Sequence, residues 1–303
     1  MKKRLILALL LMPVAAACAA TGAETPPASV AAAAPFTSGR ISVERVGEGP
    51  DVILIPGLSS SPEVWRSTIA AVPGYRYHLV HVAGFAGAAP DENATGPVVA
   101  PVAEEIARYI RESKLARPAI VGHSLGGTWA MMVAARHPGL DSRIMVVDMM
   151  PFLGAMFGGP SATPESVRPI AEQIRTGIAT STGDARRSSV ERTIAGMVRT
   201  EALRADIVRH SLESDGPVSG QAMHDLITTD LRPELARIAA PITVLYVTPA
   251  GAPVTDAQMD QYYTASYANA PKAVLKRIPK AYHFIMLDEP EAFQRELKAF
   301  LGG

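Results

Sequence analysis

A serine framed by glycines, set between a short strand and a helix, constrains this chain more than any other feature. Residues 118–122 read as a strand and residues 125–136 as a helix stopped by Pro138-Gly139; between them runs Gly122-His123-Ser124-Leu125-Gly126-Gly127. A strand that turns at once into a helix leaves no room for side chains on either side of the turning residue. Gly122 and Gly126 remove those side chains, and Gly127 extends the clearance. Ser124 is then expected to project at the C-terminal edge of a sheet, with a helix N-terminus beneath it. A phosphate loop would carry G-x-G-x-x-G or end in Gly-Lys, and this turn does neither.

The remaining pattern supplies the sheet. Residues 41–46 alternate as an edge strand does, while 52–55, 143–148 and 242–247 are continuous apolar runs, as strands buried on both faces require. Residues 75–82 and 273–278 complete the strand series. Helices are expected at 61–71, with Ser61 as N-cap and Pro73-Gly74 as stop, and at 98–114, where Val99, Val102, Ile106 and Ile110 form a stripe. Two more are expected at 256–268 and 290–301. Strands alternating with helices imply an α/β fold: a mostly parallel central sheet with helices on both faces. Residues 152–236 break the pattern, with several helical stretches and no clear strand. They read as a helical cap inserted between a first core part, 37–151, and a second, 237–303.

Lys2, Lys3 and Arg4 followed by an apolar run from residue 5 to 20 have the layout of a secretory leader. Cys18 follows Ala15-Ala16-Ala17, similar to a bacterial lipoprotein cleavage box that lacks the usual leucine. Cys18 is therefore either a lipid attachment point that tethers the protein to a membrane or a residue lost with the leader. Residues 19–36, mostly Ala, Pro, Thr and Glu, read as a flexible tether. Export, to the periplasm, is expected. With 29 basic and 29 acidic side chains among 303 residues, the chain has no basic excess to recruit nucleic acid. Its one cysteine permits neither an internal disulfide nor a Cys/His zinc site.

Three segments together resemble the α/β-hydrolase superfamily: Pro56-Gly57-Leu58 after an early strand, Gly122 to Gly127, and His283-Phe284 with Asp288-Glu289-Pro290-Glu291 near the end. In that superfamily nucleophile, acid and histidine follow in this chain order. The resemblance makes Ser124 the nucleophile and His283, in the loop after the last strand, its base. It makes the backbone N–H groups of Leu58 and Leu125 the oxyanion hole. The strand 242–247 is followed by Thr248-Pro249-Ala250-Gly251, where most relatives carry the acid. Asp148, at the end of the preceding strand, is preferred as the acid, with Asp256 the alternative. Met149, Met150, Phe152, Met156 and Phe157 are expected to form an apolar, adaptable pocket wall or to pack the first cap helix. The side chain of His123 is expected to point away from the site. His78 and His81, an odd number apart on one strand, face opposite ways and cannot share a metal.

The resemblance implies a serine hydrolase that cleaves a small, largely apolar carboxylic ester through an acyl-enzyme, with no cofactor and no metal. A peptidase, a lactonase or a carbon–carbon bond hydrolase would use similar residues. A non-catalytic member that binds a ligand under the cap is the reading from a different class.

Overall fold

Alternating apolar side chains decide the architecture: residues 52–55 bury Val52 and Leu54 on one face of a strand and Ile53 and Ile55 on the other. In the computed structural model, which describes residues 36–249 and 251–302, that strand lies inside a seven-stranded sheet. The strands are β1 (Ile41–Val46), β2 (Asp51–Ile55), β3 (Arg76–Val82), β4 (Ala119–His123), β5 (Arg143–Val147), β6 (Ile242–Tyr246) and β7 (Val274–Arg277). Their spatial order is β1-β3-β2-β4-β5-β6-β7, with β1 antiparallel and every other pairing parallel. The order reverses at β2/β4, and at such a switch point the strand ends leave a crevice for a ligand.

Helices cover both faces. They are α1 (Arg66–Ala71), α2 (Val99–Glu112), α3 (Leu125–Arg136), α4 (Ala155–Gly158), α5 (Pro164–Thr180), α6 (Gly183–Met197), α7 (Arg204–Glu213), α8 (Gly216–Thr228), α9 (Asp256–Ser266), α10 (Ile285–Asp288) and α11 (Pro290–Gly302). One core joins Ile53, Ile55, Ile144 and Val146 to α2, α3 and α9, with Trp129 at its centre. The other joins Val52, Leu54, Met145 and Val147 to Trp65, Phe293 and Leu297 on the α1/α11 side. Five helices, α4 to α8, stand between β5 and β6 with no strand among them. Four of them form two pairs, α5 packing on α8 and α6 on α7, and the short α4 rests on α5. Ile194, Val198 and Ile207 of the second pair join the α1/α11 core, whereas Val218, Ala222 and Leu226 of α8 join the α2/α3 core.

The helix expected at 61–71 divides. Ser61 Oγ accepts from the Glu63 N–H at 3.2 Å and caps a 3-10 turn, Pro62–Trp65, which runs into α1. One short helix, α10, interrupts the loop before α11. The expected leader, Cys18 and residues 19–35 of the tether lie outside the described residues; Phe36, the tether's last residue, is packed edge-on against Tyr109 with ring centroids 5.0 Å apart.

Candidate active site

Three glycines shape the turn at Ser124. A Cβ on Gly122 would stand 2.0 Å from the Gly126 carbonyl oxygen, and one on Gly126 would stand 2.2 Å from that of Ile55. On Gly127 it would meet Val146 Cγ1 at 2.8 Å. The first two contacts are with backbone and cannot relax, so β4 can enter α3 this abruptly only with glycine at 122 and 126, while at 127 a side chain would require Val146 to shift. Ser124 itself takes φ 55° and ψ −123°, a conformation that costs a non-glycine residue about 1–3 kcal/mol. Its N–H is held by the Val147 carbonyl at 2.8 Å, which fixes the turn against β5.

Asp148 occupies the corresponding position one strand away, also at positive φ, 53°. Its N–H donates to Leu245 O at 2.7 Å, and its carboxylate is aimed across the β6 end. Oδ2 accepts from His283 Nδ1 at 2.6 Å. Oδ1 accepts from the Val247 N–H and from the Tyr263 hydroxyl, each at 3.1 Å. Burial, reinforced by the Asp148 charge, pushes the Tyr263 hydroxyl well above its ordinary value, so it stays protonated and donates. With Nδ1–H committed to Asp148, the His283 lone pair lies on Nε2, the atom a general base needs free.

Ser124, Asp148 and His283 line one cavity of about 860 Å³. Ser124 Oγ makes no hydrogen bond among the described residues, as is common before substrate tightens the geometry. Leu58 lies in the loop after β2 and lines the same cavity, while Leu125 is the first residue of α3. No backbone partner engages either N–H among the described residues, so both remain available to a developing oxyanion. Gly57 lets this loop close down: a Cβ there would stand 2.9 Å from Ser124 Cβ. Ser59 Oγ donates to Ser219 Oγ of α8 at 2.8 Å and so ties the loop to the cap.

Asp256 stands elsewhere. It is exposed at the start of α9, accepting from Thr248 Oγ1 and Arg277 Nη1, each at 2.6 Å, and does not reach His283. Of the expected pocket wall, Met149, Met150, Met156 and Phe157 line the cavity. Phe152 does not. Its ring is buried in a separate cap cluster with Val167, Ala171 and Ile227, beneath the Arg232 guanidinium at 4.6 Å. His123 is a second correction. Its ring packs against that of His283 with centroids 4.6 Å apart, and its Nε2–H donates to the His283 carbonyl at 3.0 Å. Burial, then the nearby His283, holds His123 well below the usual histidine range and keeps it neutral. Tyr263 and the cap residues Ile174, Ile178, Ser189, Thr193 and Met223 also reach the site, without any sequence signal that marked them.

Among the described residues no group of three or more His, Cys, Asp or Glu side chains is arranged to hold a metal ion.

Comparison with known proteins identifies the family and the fold. A family model described as "Alpha/beta hydrolase family" matches residues 52–296. A pimeloyl-[acyl-carrier protein] methyl ester esterase of Aeromonas hydrophila is 28% identical over 277 residues, covering 86% of this chain and 99% of that protein. An esterase from Exiguobacterium antarcticum superposes with a TM-score of 0.71 at 20% identity, over 87% of this chain and 96% of the other. The enol-lactonase from Burkholderia xenovorans LB400 superposes with a TM-score of 0.69 at 19% identity, over 87% and 96% of the two chains.

Proposed function

The chain belongs to the alpha/beta hydrolase family and is an enzyme of that fold; from this premise we propose that it is a serine hydrolase cleaving carboxylic esters, with Ser124, His283 and Asp148 as its triad. The observation that carries the reading is the 2.6 Å contact between Asp148 and His283, in one cavity with a serine held in a strained glycine-framed turn. Ser124 Oγ attacks the ester carbonyl as His283 Nε2 takes its proton. The Leu58 and Leu125 N–H groups receive the charge on the carbonyl oxygen, each worth about 2.7–4 kcal/mol where such donors have been removed. Asp148 stabilises the imidazolium and fixes its tautomer. His283 then protonates the departing alcohol and activates the water that releases the acid from Ser124. An ester is favoured over a peptide because the curated relative acts on a methyl ester and the cavity wall is largely apolar.

A fluorophosphonate probe tests the assignment. Wild type is expected to be labelled and to hydrolyse p-nitrophenyl butyrate, and Ser124→Ala to do neither while keeping its fold. A folded wild type that resists the probe, or equal labelling of the alanine variant, overturns the reading.

A further inference from the structure

The cavity above Ser124 has two chemically different walls, and the position of His283 decides which arm of an ester each one meets. One wall comes from α4, α5 and α8 and presents Met156, Ile174, Ile178, Met223 and Leu226, with Met149 below. The other comes from α6 and α7 and is mixed: it presents Arg186, Ser189, Thr193 and Ser211 beside Val190, Ile194, Met197 and Ile207. Ser189 and Thr193 are exposed, whereas Met149 and Leu226 are buried. The α6/α7 wall thus offers solvent-facing hydroxyls, whereas the other wall runs from an exposed rim at Met156 down to a buried floor at Leu226 and Met149.

His283 belongs to the polar side. The Phe284 N–H donates to the Met197 carbonyl at the end of α6, at 3.2 Å. Asp288 accepts from the N–H groups of Arg199 and Thr200, just beyond α6, at 3.0 and 2.9 Å. In a serine hydrolase the leaving alcohol is the group His283 protonates, so it departs on the histidine side. The acyl arm is directed the other way.

Resting on the triad assignment above, we infer that the natural substrate is an ester of a medium-length apolar acyl chain with a polar, hydroxyl-bearing alcohol. The acyl chain occupies the α4/α5/α8 wall, and the alcohol sits against Ser189, Thr193 and Ser211. Size and composition agree. At about 860 Å³ the cavity is in the upper part of the range that ligands far larger than an acetyl ester fill. Of the methionines that line it, Met156 and Met223 stand on the acyl wall and Met149 below it. Unbranched thioether chains adapt to a flexible acyl chain without demanding one shape. Arg186 Nη2 donates to the Ser211 carbonyl at 3.0 Å and to that of Ser214, which leaves the rest of the guanidinium to add donors on the alcohol side.

Esters with the two arms exchanged test this. The kcat/KM for 1-mono-octanoylglycerol is expected to exceed that for octyl acetate at least tenfold. Ile174→Trp is expected to lower kcat/KM for mono-octanoylglycerol at least tenfold relative to monoacetylglycerol. Ser189→Leu is expected to shrink the preference for mono-octanoylglycerol over methyl octanoate. Fluorophosphonate labelling of each variant establishes that its site is intact. Equal or better turnover of octyl acetate overturns the orientation, and unchanged ratios in both variants overturn the assignment of the walls. Either result with p-nitrophenyl butyrate still hydrolysed by Ser124 rejects only this inference. Loss of that hydrolysis in the wild type rejects the serine hydrolase itself.

Discussion

Replacing Asp148 by asparagine keeps the shape of the side chain and removes the anion that His283 Nδ1 contacts at 2.6 Å. The imidazole loses both its tautomer control and the charge that stabilises imidazolium, so kcat is expected to fall about 10³–10⁴-fold. Asp256→Asn, which affects an exposed pair with Arg277, is expected to leave kcat within about twofold, since exposed ion pairs contribute little. Steady-state kinetics on p-nitrophenyl butyrate separates the two, and a larger loss in the Asp256 variant would contradict the geometry. Tyr263→Phe deletes one donor to Asp148 Oδ1 and is expected to reduce kcat roughly fivefold, the scale of about 1 kcal/mol for one hydrogen bond. Ser124 and His283 were legible because both lie in local motifs. Tyr263 was not, because it reaches Asp148 from a helix 115 residues further along the chain. His123 was misread for a related reason. Its position in the turn is local, but what its ring meets is the His283 loop, brought in from 160 residues away.

At the scale of elements, the expected strands and main helices match the observed ones to within a few residues, because apolar periodicity is set by burial within each segment. The short pieces escape this: α4 and α10, four residues each, are too brief to show a period. Nor does periodicity reveal how the cap is fastened. Asp288, buried in α10, accepts three backbone N–H bonds, from Arg199, Thr200 and Tyr282, at 2.9–3.0 Å. It thereby joins the end of α6 to the chain next to His283. Asp288→Ala leaves three donors without a partner and frees the loop that carries the imidazole. The variant is expected to fold with a lower Tm and to lose at least tenfold in kcat, with KM changed less, because the α4, α5 and α8 wall stays in place while only the end of α6 is released. Thermal denaturation and steady-state kinetics together check it. A lowered Tm with unchanged kcat would show that the clamp only stabilises the fold.

The whole molecule holds two fully buried histidines that its fold keeps neutral, one on β3 and one at the C-terminal end of β4. His123 lies beneath the active site. His78, on β3, accepts at Nδ1 from the Tyr109 hydroxyl at 2.6 Å and donates from Nε2 to Asp51 at 2.9 Å. Burial lowers the pKa of His78 despite Asp51, and Arg76 and Arg45 nearby act in the same direction. In the unfolded chain both imidazoles titrate near about 6.5. Below that pH the unfolded state takes up protons that the folded state refuses, so stability is full above about pH 6.5 and is lost as pH falls toward the folded values. Each group contributes a slope of up to about 1.4 kcal/mol per pH unit in that window. Asp51 acts in the same sense at lower pH. Burial, the largest single influence, pushes its pKa up, but the hydrogen bonds and charges of Arg76 and His78 together hold it below the usual carboxylate range, so its contribution disappears only in stronger acid. Tm is therefore expected to hold between pH 7.5 and about pH 6.5 and to fall from there to pH 5. His78→Gln, which can still hydrogen-bond but cannot titrate, is expected to have a lower Tm at pH 7.5 and a shallower decline. The variant carrying His123→Gln as well is expected to be shallower again. A wild-type Tm constant across this range, or a decline that the paired substitution leaves unchanged, would mean that other groups govern the acid limit of the fold.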